Sequence, residues 1–294
     1  MPLQKVICAD SKLRRAGIRK EIPLKDCLDC AATRNNGCQF TFELLSSMFE
    51  QVQDRAERIS TTTLTTKCLR SEYLQRKNGY AAEPEKMWAA FRGTMYHGQL
   101  EYLAHPRSVA EARYFVDIPG LGQLSGSPDL VDPPAGRLYD YKMTKEVPRW
   151  DTPWPDHVAQ LNINRWLVDH ATTVEYQGEK FDMADREVEA RFRPLHWDSL
   201  IVVYMDDKGP KPLTITESVE IPAKNGRTKK VRQPAIWSDE QCMEYITPRY
   251  QAAFNALTGN QLPAIPEAFE GLEHPLCGFC PMKRKCLSLL IEGK

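Results

Sequence analysis

The chain has 294 residues, of which 42% are hydrophobic and 27% are charged, and its formal net charge at pH 7 is zero. This length allows one large domain, or one domain with an appendage, because single cores stop growing near ~250–300 residues. Zero net charge excludes recognition of nucleic acid through overall charge, so a nucleic-acid partner would need a local basic face.

The N-terminal sequence MPLQKVICADSKLRRAG has neither the apolar region nor the small-residue cleavage site of a signal peptide. No apolar run approaches the ~18 residues that a membrane helix requires. We therefore expect a cytoplasmic protein with no membrane partner, in which thiols stay reduced. Nine cysteines in such a protein indicate metal binding rather than disulfides, and an odd number disfavours complete pairing.

The first predicted elements are helices. Residues 1–40 are rich in basic residues and cysteine and show little periodicity. Over 40–59 apolar residues recur every three or four positions, which predicts a helix. The Ser/Thr run at 60–66 offers N-caps for a second helix that carries Cys68. Residues 84–104 predict a third helix.

Strands follow after Pro106. Short strand-like runs at 112–118, 121–132 and 137–143, separated by the turn sequences PGLG and PPAG, predict a three-stranded meander. A further helix is predicted at 157–170.

The remaining elements are a strand, a hairpin and a helix. The continuous apolar run 200–205 is typical of a buried strand, and 213–233 predicts a hairpin with a basic turn. Residues 238–257 predict a helix opened by a capping box of Ser238 and Gln241. The order helix, three strands, helix, strand indicates an α/β core.

Acidic and basic residues cluster in GSPDLVDPPAGRLYDYK. Asp140 and Lys142 are two residues apart on a predicted strand, so their side chains leave the same face. Asp129 lies on the preceding strand, and the short turn can place it beside Asp140. Adjacent carboxylates repel unless a divalent cation neutralises them. With a lysine to activate water or stabilise a phosphate charge, this set suits metal-assisted phosphodiester hydrolysis.

Pro128-Asp129 followed by Asp140-Tyr141-Lys142 resembles the signature of the PD-(D/E)XK nucleases. The resemblance implies a restriction-endonuclease-like α/β core, with a mixed central sheet flanked by helices. It also implies that Asp129, Asp140 and the carbonyl of Tyr141 bind the metal, while Lys142 activates water.

His97, in RGTMYHGQLEYL, stands where the RecB-like branch of that superfamily places a histidine metal ligand. An imidazole among carboxylates favours Mn²⁺ more than Mg²⁺. Gln160 matches the glutamine of the branch's Q-x-x-x-Y helix, which supports the site. The tyrosine position of that motif is Asn164 here, which leaves the role of the helix open.

Each residue has an ordinary structural alternative when taken singly. An Asp-x-Lys pair is usually a solvated strand face, and a lone histidine such as His97 is more often a satisfied core or surface residue. Asp129 and Asp132 could be turn residues. The order of these residues on helix, strand, strand and helix favours the nuclease interpretation.

Three cysteines stand close together in CGFCPMKRKC: Cys277, Cys280 and Cys286. Such thiolate-rich sites suit zinc or iron–sulfur clusters, and Cys68 is our choice for the fourth ligand. One cysteine before the nuclease motifs and three after them resembles the iron–sulfur RecB-like nucleases, among them the CRISPR-associated Cas-four exonucleases and the AddB-type recombination nucleases. The resemblance implies a 4Fe–4S cluster that joins the two ends of a nuclease domain at 59–294. Spacing alone leaves zinc with the same ligands open.

The N-terminal extension, residues 1–58, carries a second group of thiols. They could bind zinc tetrahedrally or be buried thiols without a ligand: Cys8, Cys27, Cys30 and Cys38. Cys242 lies on a predicted amphipathic helix, where we expect it to pack in the core.

Basic residues cluster at 12–20, 224–232 and 283–285. They would follow DNA phosphates if they face the active-site groove, and each could equally be a solvated surface. Trp150 and Trp154 could stack on bases or pack beside the neighbouring prolines.

Together these features predict a divalent-metal-dependent DNA exonuclease that acts on single-stranded ends or overhangs. The Cas-four resemblance further implies trimming of DNA for insertion into a CRISPR array, with an integrase partner. A phage or recombination nuclease is the alternative within the same chemistry. Alternatives of another class are a non-catalytic iron–sulfur DNA-binding scaffold and a zinc or redox sensor.

Overall fold

The computed structural model describes residues 4–33, 40–50, 58–78, 80–144, 147–148, 152–206, 208–215, 235–259, 261–267 and 274–292. The helices are α1 (Ser11–Arg15), α2 (Leu24–Thr33), α3 (Phe42–Glu50), α4 (Thr61–Thr65), α5 (Leu69–Lys77), α6 (Pro84–Leu103), α7 (Pro155–His170), α8 (Arg186–Phe192), α9 (Asp239–Leu257), α10 (Pro275–Phe279) and α11 (Lys283–Ile291). The strands are β1 (Lys5–Ile7), β2 (Glu21–Pro23), β3 (Ile59–Ser60), β4 (Ala81–Ala82), β5 (Val109–Ala110), β6 (Arg113–Ile118), β7 (Gly122–Gly126), β8 (Leu130–Asp132), β9 (Arg137–Met143), β10 (Thr173–Tyr176), β11 (Glu179–Asp182), β12 (Ser199–Asp206) and β13 (Gly209–Ile215). Of the helices in these ranges, none is both long enough and apolar enough to span a membrane.

The chain divides into two compact units. The first comprises Met1–Glu57, Thr66–Met95 and Asn255–Lys294, and the second comprises Arg58–Thr65 and Tyr96–Phe254. The domain boundary expected near residue 58 stays a prediction.

The first unit contains a small sheet and two apolar clusters. Strand β1 lies between β2, which is antiparallel to it, and β4, which is parallel. One cluster gathers residues from β1, α2 and α3: Val6, Cys27, Ala31 and Leu45. The other gathers residues near the chain's C-terminus and from α5: Tyr73, Leu74, Ala256, Cys277, Met282 and Cys286.

The second unit contains two five-stranded sheets, of strand order β11-β10-β6-β7-β3 and β13-β12-β9-β8-β5. Both sheets are mixed, since β3 runs parallel to β7 and β12 runs parallel to β9, whereas the other neighbours are antiparallel. Strand β9 is central in its sheet: its whole length pairs with β12, and 137–139 also pair with β8. This is a mixed α/β architecture, as the sequence predicts.

Helix α7 is the central helix of the second unit and packs against α4, β6, β7, β9 and β12. Because it is covered on several sides, even its polar residues Asn162, Asn164 and Arg165 are buried. The buried Oδ1 of Asn162 accepts a hydrogen bond from the Trp237 N–H at 2.7 Å.

Two predicted elements differ from the structure. The helix expected over 40–59 corresponds to α3, and Ile59 lies instead in β3, where it pairs with Leu124. The strand expected over 121–132 is divided into β7 and β8, which belong to different sheets, so the three-stranded meander is wrong. Pro128 lies at this division, where its missing N–H cannot extend a ladder.

The capping box at the start of α9 is confirmed. The Ser238 N–H donates to Gln241 Oε1 at 2.8 Å, and the Gln241 N–H donates to Ser238 Oγ at 3.3 Å. The hairpin predicted over 213–233 overlaps the described residues only at 213–215, the end of β13. Its basic turn at 224–232 lies outside the described residues.

Candidate metal-dependent active site

Strand pairing places Asp129 next to Asp140. Leu130 of β8 pairs with Tyr139 of β9 in an antiparallel register, so the next step sets Asp129 opposite Asp140. Directly opposed residues project from the same face of a sheet and lie close together. Asp129 is 8% exposed and Asp140 only 1% exposed, which makes their mutual repulsion strong.

Lys142 partly compensates this negative charge. Its Nζ donates to Asp140 Oδ1 at 2.8 Å and to Gln160 Oε1 at 3.1 Å. The other oxygen of Asp140, Oδ2, is buried without a hydrogen-bond partner among the described residues. Burial raises the pKa of Asp140 despite the ammonium of Lys142, and the charge of Asp129 adds to the rise. The ionised form of Asp140 would therefore be stabilised by a further positive charge.

His97 of α6 meets two carboxylates. Its Nδ1 lies 2.7 Å from Glu111 Oε1 and 3.3 Å from Asp129 Oδ1. Hydrogen bonds to Asp129 and Glu111 raise the pKa of His97 to about 10. One ligating atom from each of the three residues lies within 4.8 Å of the others. Oxygen and imidazole donors at this spacing fit a divalent ion such as Mn²⁺.

Glu111 was missed in the sequence. It adopts a φ of +56°, which is strained for a residue with a side chain. Its N–H donates to the Asp129 carbonyl at 3.2 Å, and the Ser127 hydroxyl donates to the Glu111 carbonyl at 2.9 Å. These bonds fix Glu111 beside Asp129. No glycine, turn motif or periodicity marks this position, and an acidic residue just before a strand is the only signal.

Tyr141 contributes its backbone to the site. Its N–H donates to Asp129 Oδ2 at 2.6 Å. In a strand the N–H and C=O of one residue point to the same side, so the Tyr141 carbonyl also faces the side of Asp129. The side chain leaves the opposite face of β9, where its ring stacks with that of Tyr139 at a centroid distance of 6.3 Å.

A second group near Asp140 was also missed: His157 and Tyr204. The Tyr204 hydroxyl accepts from the Trp154 N–H at 3.1 Å and lies 2.8 Å from His157 Nδ1. The Trp154 ring packs edge-on against Tyr204 at 5.3 Å, which agrees with the packing alternative for this tryptophan. Trp150 lies outside the described residues.

Asn164 occupies a tightly packed position on α7. A methyl group on Gly126 of β7 would lie 2.8 Å from Asn164 Oδ1, 2.4 Å from Thr61 Oγ1 and 2.5 Å from Leu167 Cδ1. Asn164 is therefore buried and packed closely against β7 at the position where the Q-x-x-x-Y pattern has its tyrosine.

The structure brings together the four cysteines expected to hold a cluster. Cys68 is the N-cap of α5, Cys280 is the C-cap of α10, and all four lie in or against the apolar cluster around Tyr73 and Leu74. Burial raises the pKa of the Cys68 thiol, and the charges of the other three thiols, Cys280, Cys286 and Cys277, raise it further. Mutual repulsion of this kind favours a bound cation or metal cluster.

The N-terminal thiols are placed differently. Cys27 packs among Val6, Ala31 and Leu45 in the apolar core, whereas Cys8 and Cys30 are partly exposed. Cys38 lies outside the described residues, so zinc binding by the full set stays a prediction. Cys242 is fully buried, as expected for core packing.

Two of the basic clusters are described. In the first, Arg14 pairs with Glu85 at 2.6 Å and Arg19 pairs with Glu83 at 2.8 Å, so part of its charge is compensated. In the last, three consecutive basic residues at the start of α11 are exposed: Lys283, Arg284 and Lys285.

This arrangement defines the candidate active site of a metal-dependent hydrolase. It consists of two buried carboxylates, Asp129 and Asp140, with the Lys142 ammonium and the His97 imidazole beside them. A family model described as the PD-(D/E)XK nuclease superfamily matches residues 41–287. The chain belongs to this superfamily, whose members are typically nucleases that use divalent metals. No curated protein matches the sequence. A solved structure described as "Crystal structure of SSO0001" is similar with a TM-score of 0.46 and 15% identity, over 83% of this chain and 93% of that one.

Proposed function

We propose that the protein is a metal-dependent DNA exonuclease that acts on single-stranded ends or overhangs. The observation that carries the proposal is the buried pair Asp129 and Asp140, with Lys142 bonded to Asp140 and His97 bonded to Asp129. A non-catalytic scaffold gives no physical reason to bury Asp140 with an unpartnered oxygen, since such a group is costly to fold.

A divalent ion would be held by His97, Asp129, Asp140 and the Tyr141 carbonyl, with Glu111 as an additional carboxylate ligand. Histidine binds metal as the neutral imidazole, so an ion would replace the proton that His97 shares with Asp129 and Glu111. When bound, such an ion polarises the phosphodiester and lowers the pKa of water.

Lys142 is the second catalytic group of the proposal. Burial alone would lower the pKa of Lys142, but the charges of Asp140 and Asp129 outweigh burial and raise it. The side chain is therefore an ammonium, which can orient water by hydrogen bonding and stabilise negative charge that develops on the phosphate. Gln160 supports this ammonium because its Oε1 accepts a hydrogen bond from Lys142 Nζ.

The C-terminal cysteines and Cys68 would hold a 4Fe–4S cluster. Their gathering in and against one apolar cluster supports a shared metal site, and the RecB-like resemblance favours iron–sulfur over zinc with the same ligands. The cluster would close the long stretch of chain between Cys68 and Cys277.

The biological role proposed from the RecB-like resemblance is the trimming of DNA for CRISPR spacer acquisition, in the cytoplasm and with an integrase partner. This step rests on analogy with the Cas-four exonucleases. A phage or recombination nuclease would use the same site.

Cleavage of end-labelled single-stranded DNA with Mn²⁺ tests the proposal, with protein purified without oxygen. We expect Lys142→Ala to lower the rate at least ~10²-fold, as for loss of an electrostatic catalytic group, at unchanged cluster absorbance. The matched control is Lys208→Ala, which removes an exposed lysine and should cut like the parent. If the parent binds DNA but does not cut it with any divalent ion tested, the catalytic proposal is wrong.

A further inference from the structure

Ser71 lies on the first turn of α5, beside two of the four clustered cysteines. Its Oγ is 3.1 Å from Cys280 Sγ, and its backbone N–H donates to the Cys68 carbonyl at 3.1 Å. This placement follows from the helix, because Cys68 is its N-cap and Ser71 is three residues later. Residues three apart lie on one face of a helix.

A second residue of α5 makes contact with the same hydroxyl. Gln75, one turn after Ser71, donates its Nε2 hydrogen to Ser71 Oγ at 3.1 Å. The hydrogen bonds thus connect Gln75 to Ser71 on α5, and Ser71 to Cys280 at the end of α10. None of the motifs that indicate a nuclease includes Ser71 or Gln75.

Ligation of iron by Cys280 would fix the direction of both hydrogen bonds. A cysteine bound to iron has no S–H, so its sulfur can only accept. The single proton of the Ser71 hydroxyl is then donated to Cys280 Sγ, and a lone pair of the hydroxyl accepts from Gln75. The two bonds are mutually consistent, and each polarises the other in the donating direction.

We propose that Ser71 is a positioning residue for the iron–sulfur cluster, and that its hydroxyl, oriented by Gln75, raises the reduction potential of the cluster. This inference rests on the proposed 4Fe–4S cluster. Reduction adds negative charge to the cluster and its sulfurs, so a hydrogen-bond donor stabilises the reduced state more than the oxidised state. Hydrogen bonds to the sulfurs are among the features that set cluster potentials.

The test is a mediated reductive titration of the anaerobically purified full chain, followed by visible absorbance and electron paramagnetic resonance. We expect Ser71→Ala to keep the iron and to have a lower midpoint potential than the parent. Ser71→Thr keeps a hydroxyl and should remain close to the parent. Ser288→Ala is the matched control, because Ser288 on α11 is exposed and its hydroxyl donates to Glu292.

An unchanged midpoint potential in Ser71→Ala, with its cluster intact, would overturn the inference. If Ser71→Ala loses its iron, Gln75→Leu decides, since it leaves the hydroxyl in place but removes the amide that orients it. A lowered potential in Gln75→Leu supports the inference, and a potential equal to the parent's rejects it. If the parent itself holds no iron, the cluster proposal falls together with this inference, while the nuclease proposal is judged by DNA cleavage alone.

Discussion

The negative charges around Asp129 are of the number that one divalent ion would balance. Three carboxylates are gathered there, those of Asp129, Asp140 and Glu111, and Lys142 compensates one of them. If His97 is neutral, two negative charges remain, and one divalent ion would balance them. Without the ion, hydrogen bonds to Asp129 and Glu111 raise the pKa of His97 to about 10, so the ring holds a proton instead.

Glu111→Gln tests this balance of charge. The change keeps the size of the side chain but removes one negative charge, so we expect Mn²⁺ to bind about tenfold more weakly or worse, as for loss of a group that supports a metal. Isothermal titration calorimetry on the parent and the variant measures the difference. Glu101→Gln removes an exposed carboxylate of α6 and serves as the control. Equal affinities in Glu111→Gln and the parent would exclude Glu111 as a ligand.

Sequence spacing could predict some members of the site and not others. Asp140 and Lys142 share a strand face because they are two residues apart, and a short turn returns Asp129 to them. Glu111 comes from a different strand connection, and its φ of +56° is imposed by hydrogen bonds to Asp129 and Ser127. Contacts of this kind depend on how the two sheets are formed, which local spacing does not encode.

At the scale of elements, the close packing of α7 against β7 positions the residues of α7 near the site. Gly126 allows this close approach, since its missing side chain leaves space for Thr61, Asn164 and Leu167. Gln160 lies one turn before Asn164 on the same helix, so the position of α7 also sets the partner of Lys142.

Gly126→Ala should therefore destabilise the protein. The added methyl would lie 2.4 to 2.8 Å from three neighbours, and overpacking of this kind costs about 1–3 kcal/mol. Chemical denaturation followed by circular dichroism measures the change. Gly93→Ala, in α6, meets nothing within 4 Å and should be neutral or stabilising by up to about 1 kcal/mol. Equal stability of Gly126→Ala and the parent would show that this interface can relax.

At the scale of elements, periodicity predicts most of the long helices and the buried strand β12. It fails where tertiary pairing decides the outcome. Ile59 continues an apolar periodicity, yet it pairs with Leu124 in a strand. The stretch 121–132 has the composition of one strand, but its two halves pair in different sheets, and only the fold determines where the strand divides.

For the whole molecule, the four clustered cysteines come from segments that are far apart in sequence. Cys68 stands before α5, and the other three lie in or beside α10 and α11. A cross-link that closes a loop of more than 100 residues contributes more than about 4 kcal/mol in the chain-entropy model. An iron–sulfur cluster would supply such a cross-link in the first unit, whose core at this end is a small apolar cluster.

Loss of the cluster should therefore weaken the first unit selectively. In Cys286→Ser we expect faster amide hydrogen exchange in α5 and α11, because the segments that the cluster joins can then separate. Strands β9 and β12 of the second unit should keep their protection, since their ladder is formed by pairing within that unit. Hydrogen-exchange mass spectrometry on the anaerobic proteins measures both.

Cys242→Ser is the control, because Cys242 is a buried thiol that donates to the Asn162 carbonyl and a serine hydroxyl can do the same. Faster exchange throughout the chain in Cys286→Ser would mean that the cluster stabilises the protein as one cooperative body, and unchanged exchange in α5 and α11 would mean that these cysteines do not form a cross-link.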